Sequence, residues 1–175
     1  MGSLIISLVS EFIGTFILVT AGASVAAAAT LNSTTVPDGG LVTIQNVTLV
    51  GLTFGMVLIV LIYALAAYSG AHFNPAVSLG VCMDGKIQPY EMLLYWIAQV
   101  VGGLLAALFL YYFYPKSSNY GATIGYITNT DPVKAMVVEA LFTFIFVLSI
   151  LFIINSSSFN IFLSVNLSIN INSTI

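Results

Sequence analysis

The chain has 175 residues, 59% hydrophobic and 5% charged, with a mean hydropathy of +1.09 and a formal net charge of −3. A soluble domain carries about 25% charged residues, so this composition excludes a globule clothed in water, and so few basic residues exclude a nucleic-acid surface. The single cysteine, Cys82, excludes an internal disulfide and a cysteine metal cluster.

A spanning helix needs about 20 mostly apolar residues. The first candidate runs from Leu4 to Ala29 and holds one acid, Glu11. No Lys or Arg precedes it, so it reads as a retained span and not as a cleaved signal. A solvated loop with a Pro-Asp-Gly-Gly turn is expected over Asn32 to Gly40. The second span, Thr43 to Tyr68, carries no charge. The third, Pro89 to Tyr114, has Glu91 at its edge. Pro115 to Pro132 reads as a polar loop, with Tyr111, Tyr112, Tyr114, Tyr120 and Tyr126 forming an interfacial aromatic belt. The fourth span, Val133 to Ile154, contains Glu139. The tail, 155–175, is rich in Ser, Asn and Ile and reads as a loop, a degenerate fifth span or sequence foreign to the fold. Lys86, Lys116 and Lys134 are too few to set orientation, although the positive-inside rule taken literally puts the Lys116 loop inside.

The segment between spans two and three breaks the pattern. Ser69-Gly70-Ala71-His72-Phe73-Asn74-Pro75-Ala76-Val77 is mostly apolar, yet a helix begun here is too short to cross before Asp84-Gly85. Asn74 suits a helix N-cap and Pro75 the first helical turn. An irregular stretch before a short apolar helix predicts a re-entrant element, which survives at membrane depth only when buried in protein or lining a watery cavity.

Spans one and four share a pattern. Glu11, Thr15, Phe16, Ile17 and Val19 recur as Glu139, Thr143, Phe144, Ile145 and Val147, each 128 positions later. Three spans separate the two starts, so the second copy would be inverted in the membrane. The same offset places a partner for Asn74 beyond Ile175, and no second Asn-Pro-Ala occurs in the chain. The expected organisation is an incomplete domain over 1–154, with a first repeat at 4–114 and the start of an inverted second repeat at 133–154.

These features resemble the aquaporin, or major intrinsic protein, family. The resemblance rests on Ser-Gly-Ala-His-Phe-Asn-Pro-Ala-Val, on Glu-x-x-Gly-Thr-Phe from Glu11 and on Glu-x-x-x-Thr-Phe from Glu139. It implies an all-α integral membrane fold: a partial aquaporin-like bundle of four spanning helices and one re-entrant half-helix, truncated after the fourth span. It implies that Asn74 presents an amide donor to a water file, with Pro75 and Ala76 completing the motif. It places the carbonyls of Gly70, Ala71 and His72 on the pore wall and Phe54 at the selectivity constriction, where Phe resembles water channels. A core or lipid-facing Phe54, a merely capping Asn74 and a metal-bound His72 are the alternatives. Glu11 and Glu139, buried carboxylates by position, belong with Thr15 and Thr143 to the structural motif, and a proton relay is the competing reading of the two acids. One of the two acids would hold the Asn74 loop, and the other would lack a loop. The family's filter arginine is missing from the chain, and Val77 stands at the equivalent place after the first motif.

The function so implied is a passive channel for water or small neutral solutes in a cell membrane. The alternative is a non-conducting fragment that at most associates with full-length relatives. No nucleophile–base pair, metal cluster or phosphate loop suggests an enzyme, and no cofactor or metal is expected. The partners are the lipid bilayer and the solute. A homotetramer is typical of the family, and a truncated chain weakens that implication. Gly51 with Gly55, and Gly102-Gly103 with Ala106-Ala107, are small-residue faces expected to let helices approach closely.

Overall fold

The computed structural model describes residues 4–33, 44–122 and 131–156. The described chain is helical: α1 (Leu4–Ser33), α2 (Ile44–Ser69), α3 (Pro75–Met83), α4 (Pro89–Phe113), a 3₁₀ turn (Lys116–Gly121) and α5 (Pro132–Ile154). No strand occurs among the described residues. Four helices are long and apolar enough to cross a bilayer, and α3 is not. At 1.5 Å per residue its nine residues span about 14 Å, less than half of a hydrocarbon core of about 30 Å.

The spans lie close to their expected positions. α1 continues through Ser33, so Asn32 belongs to the helix and not to the loop beyond it. The rest of that loop, Tyr126 and residues 157–175 of the tail lie outside the described residues. The polar loop after α4 contains a 3₁₀ turn, in which Asn119, Tyr120 and Gly121 adopt left-handed backbone conformations. Its Gly121 lies against the Ala23 carbonyl, leaving no room for a Cβ.

α1 is the hub, touching α2, α4 and the 3₁₀ turn. Between apolar helices in lipid there is no hydrophobic drive to associate, so close approach and buried hydrogen bonds must hold them. Gly102 supplies the approach: a Cβ there would lie 2.6 Å from the Phe12 carbonyl oxygen. Ala106, one turn on, is fully buried. Gly14 makes room for the Phe73 ring, Gly22 for the Phe54 ring and Gly80 for Val147 of α5.

Two packing expectations need correction. A Cβ added at Gly51, Gly55 or Gly103 would meet nothing within 4 Å, so among the described residues Gly102 and Ala106, not these glycines, form a seam. Glu139 is exposed, not buried, and Thr143 is half-buried. The physical reason is that α5 touches only α3 among the described elements, and none of its residues is buried.

Candidate functional site

The helix α3 is bounded by local chemistry at both ends. The Asn74 Oδ1 accepts from the Ala76 N–H at 2.8 Å, and Pro75 occupies the first turn, where its missing N–H costs nothing. At the other end Gly85 is left-handed (φ 74). Its N–H donates to the Cys82 carbonyl at 3.0 Å, and Lys86 N–H donates to the Val81 carbonyl at 3.1 Å, the paired bonds of a Schellman stop.

The stretch entering α3 is strained. Gly70, Ala71 and Phe73 all have positive φ, at 85°, 54° and 49°. Glycine adopts this freely, whereas an L-residue with a side chain loses roughly 1–2 kcal/mol. One side chain compensates. Glu11 of α1, fully buried, accepts from His72 N–H (2.9 Å) and Ser69 Oγ (2.7 Å) on Oε1. Its Oε2 accepts from Phe73 N–H (2.7 Å) and Gln99 Nε2 (2.8 Å). A carboxylate offers about four lone-pair directions, and here each meets a donor. Of the two motif acids, Glu11 therefore holds the Asn74 loop. No partner meets Glu139 among the described residues.

Helix α4 supplies the opposite wall. The Tyr95 hydroxyl donates to the Ser69 carbonyl at 2.9 Å, and Trp96 Nε1 donates to the Pro75 carbonyl at 2.9 Å. Gln99, 2% exposed, also donates to Ser78 Oγ at 3.0 Å. Ser78 Oγ lies 3.1 Å from His72 Nδ1, and the His72 and Tyr95 rings meet edge to face at 5.2 Å. Thus α1, α4, α3 and the strained stretch share one buried polar network.

The network leaves a defined set of groups free. Among the described residues no donor reaches the carbonyl oxygens of Gly70, Ala71, His72 or Phe73. With Asn74 Oδ1 committed to Ala76, its Nδ2 meets no acceptor among the described residues. In chain order the stretch thus carries four carbonyls that meet no described donor, then one amide donor at a positive helix terminus.

The sequence-predicted residues divide accordingly. Glu11, Gly70, Ala71, His72, Asn74, Pro75 and Ala76 come together. Phe54 stands apart, on α2 fifteen residues before Ser69, 37% exposed, with its ring on Gly22. Thr15 is buried on α1, and its hydroxyl has no partner among the described residues. Glu139 and Thr143 lie on α5, and among the described residues no hydrogen bond joins them to the network. Sequence reasoning missed Ser69, Ser78, Tyr95, Trp96 and Gln99. The available signal was Gln99, an amide inside an otherwise apolar span, which lipid makes costly unless it faces the bundle. Among the described residues no group of three His, Cys, Asp or Glu gathers to hold a metal.

Outside the spans, Asp84 closes α3. Its Oδ2 accepts from Lys86 Nζ at 2.7 Å and from Asn155 Nδ2 at 3.0 Å. The Lys86 ammonium, then the Asn155 amide, hold the Asp84 carboxyl below the usual carboxylate value. The tether joins the ends of α3 and α5. Asp131 caps α5 through Lys134 N–H at 3.1 Å, and the Lys134 side chain likewise lowers its carboxyl.

The sequence matches the family described as Major intrinsic protein over residues 3–172. The chain belongs to the major intrinsic protein family. Among its relatives, Aquaporin Z of Photorhabdus laumondii is 38% identical over 124 residues, which is 70% of this chain and 50% of that protein. Glycerol uptake facilitator protein 3 of Lactiplantibacillus plantarum is 32% identical over 156 residues, covering 85% of this chain and 62% of that protein. Aquaporin TIP1-2 of Zea mays is 34% identical over 139 residues, covering 78% and 51%. The chain spans about half the length of these curated relatives. With four helices of spanning length, this major intrinsic protein is a multi-pass integral membrane protein, all-α in class.

Proposed function

We propose that residues 70–74 form part of the wall of a narrow passage for water or small neutral solutes across the bilayer. One observation carries this: among the described residues, the carbonyls of Gly70, Ala71, His72 and Phe73 and the Asn74 Nδ2 take no partner, while the same network fixes their backbone. Uncompensated polar groups at membrane depth are costly unless water or protein meets them. A row of acceptors and a single donor can exchange hydrogen bonds with a moving file of water without binding it tightly. The donor at a positive helix start favours a water oxygen facing Asn74 and disfavours a cation there. The relatives carry names of both water and glycerol channels, so the solute class stays at water or small neutral molecules. This is transport and not catalysis.

A second reading is favoured by Glu139. Its exposure on α5 leaves a carboxylate in an apolar span with nothing from the described chain against it. On that reading the chain alone does not conduct, and contributes this half-passage only beside another polypeptide of the family. Stopped-flow swelling of proteoliposomes separates the two. Water permeability above the lipid baseline supports the first reading. Baseline permeability that rises on co-reconstitution with a full-length relative, beyond the relative's own contribution, supports the second.

A further inference from the structure

We propose that Trp96 is a positioning residue for Asn74, acting through the peptide group that joins Pro75 to Ala76; this rests on the reading of Asn74 as the passage's donor. That peptide has two hydrogen-bonding ends. Its N–H, on Ala76, donates to Asn74 Oδ1 at 2.8 Å. Its carbonyl, on Pro75, accepts from Trp96 Nε1 at 2.9 Å. Trp96 therefore grips the far side of the very plane that orients the Asn74 amide. Rotating the plane would turn Oδ1, and with it Nδ2.

The helix ladder of α3 also engages the Pro75 carbonyl, and among the described side chains Trp96 supplies the added hydrogen bond to it. On the near side of Asn74, Glu11 holds the N–H groups of His72 and Phe73. On the far side, Pro75 has no N–H of its own, so its carbonyl is the one backbone handle that residue offers. Tyr95 acts on Ser69 and Gln99 on Ser78, so among these α4 side chains only Trp96 touches the peptide beside Asn74. Indole N–H is a donor only. A donor to the carbonyl also polarises the peptide and strengthens its N–H as a donor in turn. A tryptophan serving solely as an interfacial anchor would direct its N–H to headgroups, and here it is directed to α3.

Trp96 is the only tryptophan in the chain, so its indole N–H gives one unambiguous nuclear magnetic resonance signal. In lipid nanodiscs, deuterium exchange at that N–H is expected to be at least about tenfold slower than in free indole, the mark of a protected hydrogen bond. Replacing Trp96 with β-(3-benzothienyl)alanine removes the N–H and keeps the ring shape. This is expected to move the Asn74 Nδ2 and Ala76 N–H resonances by more than a linewidth, with an unchanged unfolding midpoint. Unmoved Asn74 and Ala76 signals would overturn the proposal. So would exchange at the free-indole rate in the unmodified protein, a measurement that stands even where the variant does not fold. Baseline water permeability of the unmodified protein, both alone and beside a full-length relative, would instead sink the passage reading and leave these signals to decide the role of Trp96.

Discussion

Glu11 of α1 and Gln99 of α4 meet through a 2.8 Å hydrogen bond buried between their helices. The pair joins two spans that lipid gives no hydrophobic reason to associate, and both residues also hold the segment around Asn74. Packing of the bundle and shape of the site are therefore one structure.

The first consequence concerns the two motif acids. Glu11→Gln turns one acceptor oxygen into a donor facing other donors. The expected loss is about 1–3 kcal/mol, the cost of leaving buried groups unsatisfied. Glu139→Gln breaks no hydrogen bond to the described residues and takes a charge out of an apolar span, so it is expected to cost no stability. Unfolding of both variants in mixed micelles checks the contrast, and equal losses would contradict it.

The helix seam gives a second contrast. Gly102→Ala places a Cβ 2.6 Å from the Phe12 carbonyl and is expected to cost about 1–3 kcal/mol through overpacking. Gly103→Ala meets open space and is expected to be neutral or to stabilise by up to about 1 kcal/mol through helix propensity. The same unfolding measurement reads both.

How much of this was legible in the sequence depends on the reach of each interaction. Four spans followed from hydropathy, and the bounds of α3 followed from Asn74, Pro75 and Gly85, because capping acts over two or three residues. The choice between Glu11 and Glu139 stayed open, since their motifs match and only tertiary contact separates them. The left-handed conformations of Ala71 and Phe73 were invisible, because neither residue type favours them. They exist because Glu11, 61 and 62 positions earlier, takes the N–H groups of His72 and Phe73. Tyr95, Trp96 and Gln99 reach back 21 to 88 positions, and periodicity carries no trace of that.

The Asp84 tether supplies a pH dependence. Its carboxyl is held below the usual value in the folded chain, so its contribution is full above the unfolded carboxylate pKa of about 3.9. It is lost as pH falls through the lower folded value. The Asn155 side-chain amide resonance is expected to shift on acidification below about pH 4, and Asp84→Asn to abolish that titration. A titration unchanged in Asp84→Asn would show that another group is responsible.

The most direct measurement is water-to-protein polarisation transfer by solid-state nuclear magnetic resonance in bilayers, read at the carbonyl carbons of Gly70 to Phe73 and at Asn74 Nδ2, with depth set by paramagnetic lipids. Rapid transfer from water to these sites, at a depth near the bilayer centre, is expected. Slow transfer matching that of the exposed apolar Leu108 of α4, or a position outside the hydrocarbon, would contradict a polar passage at Asn74.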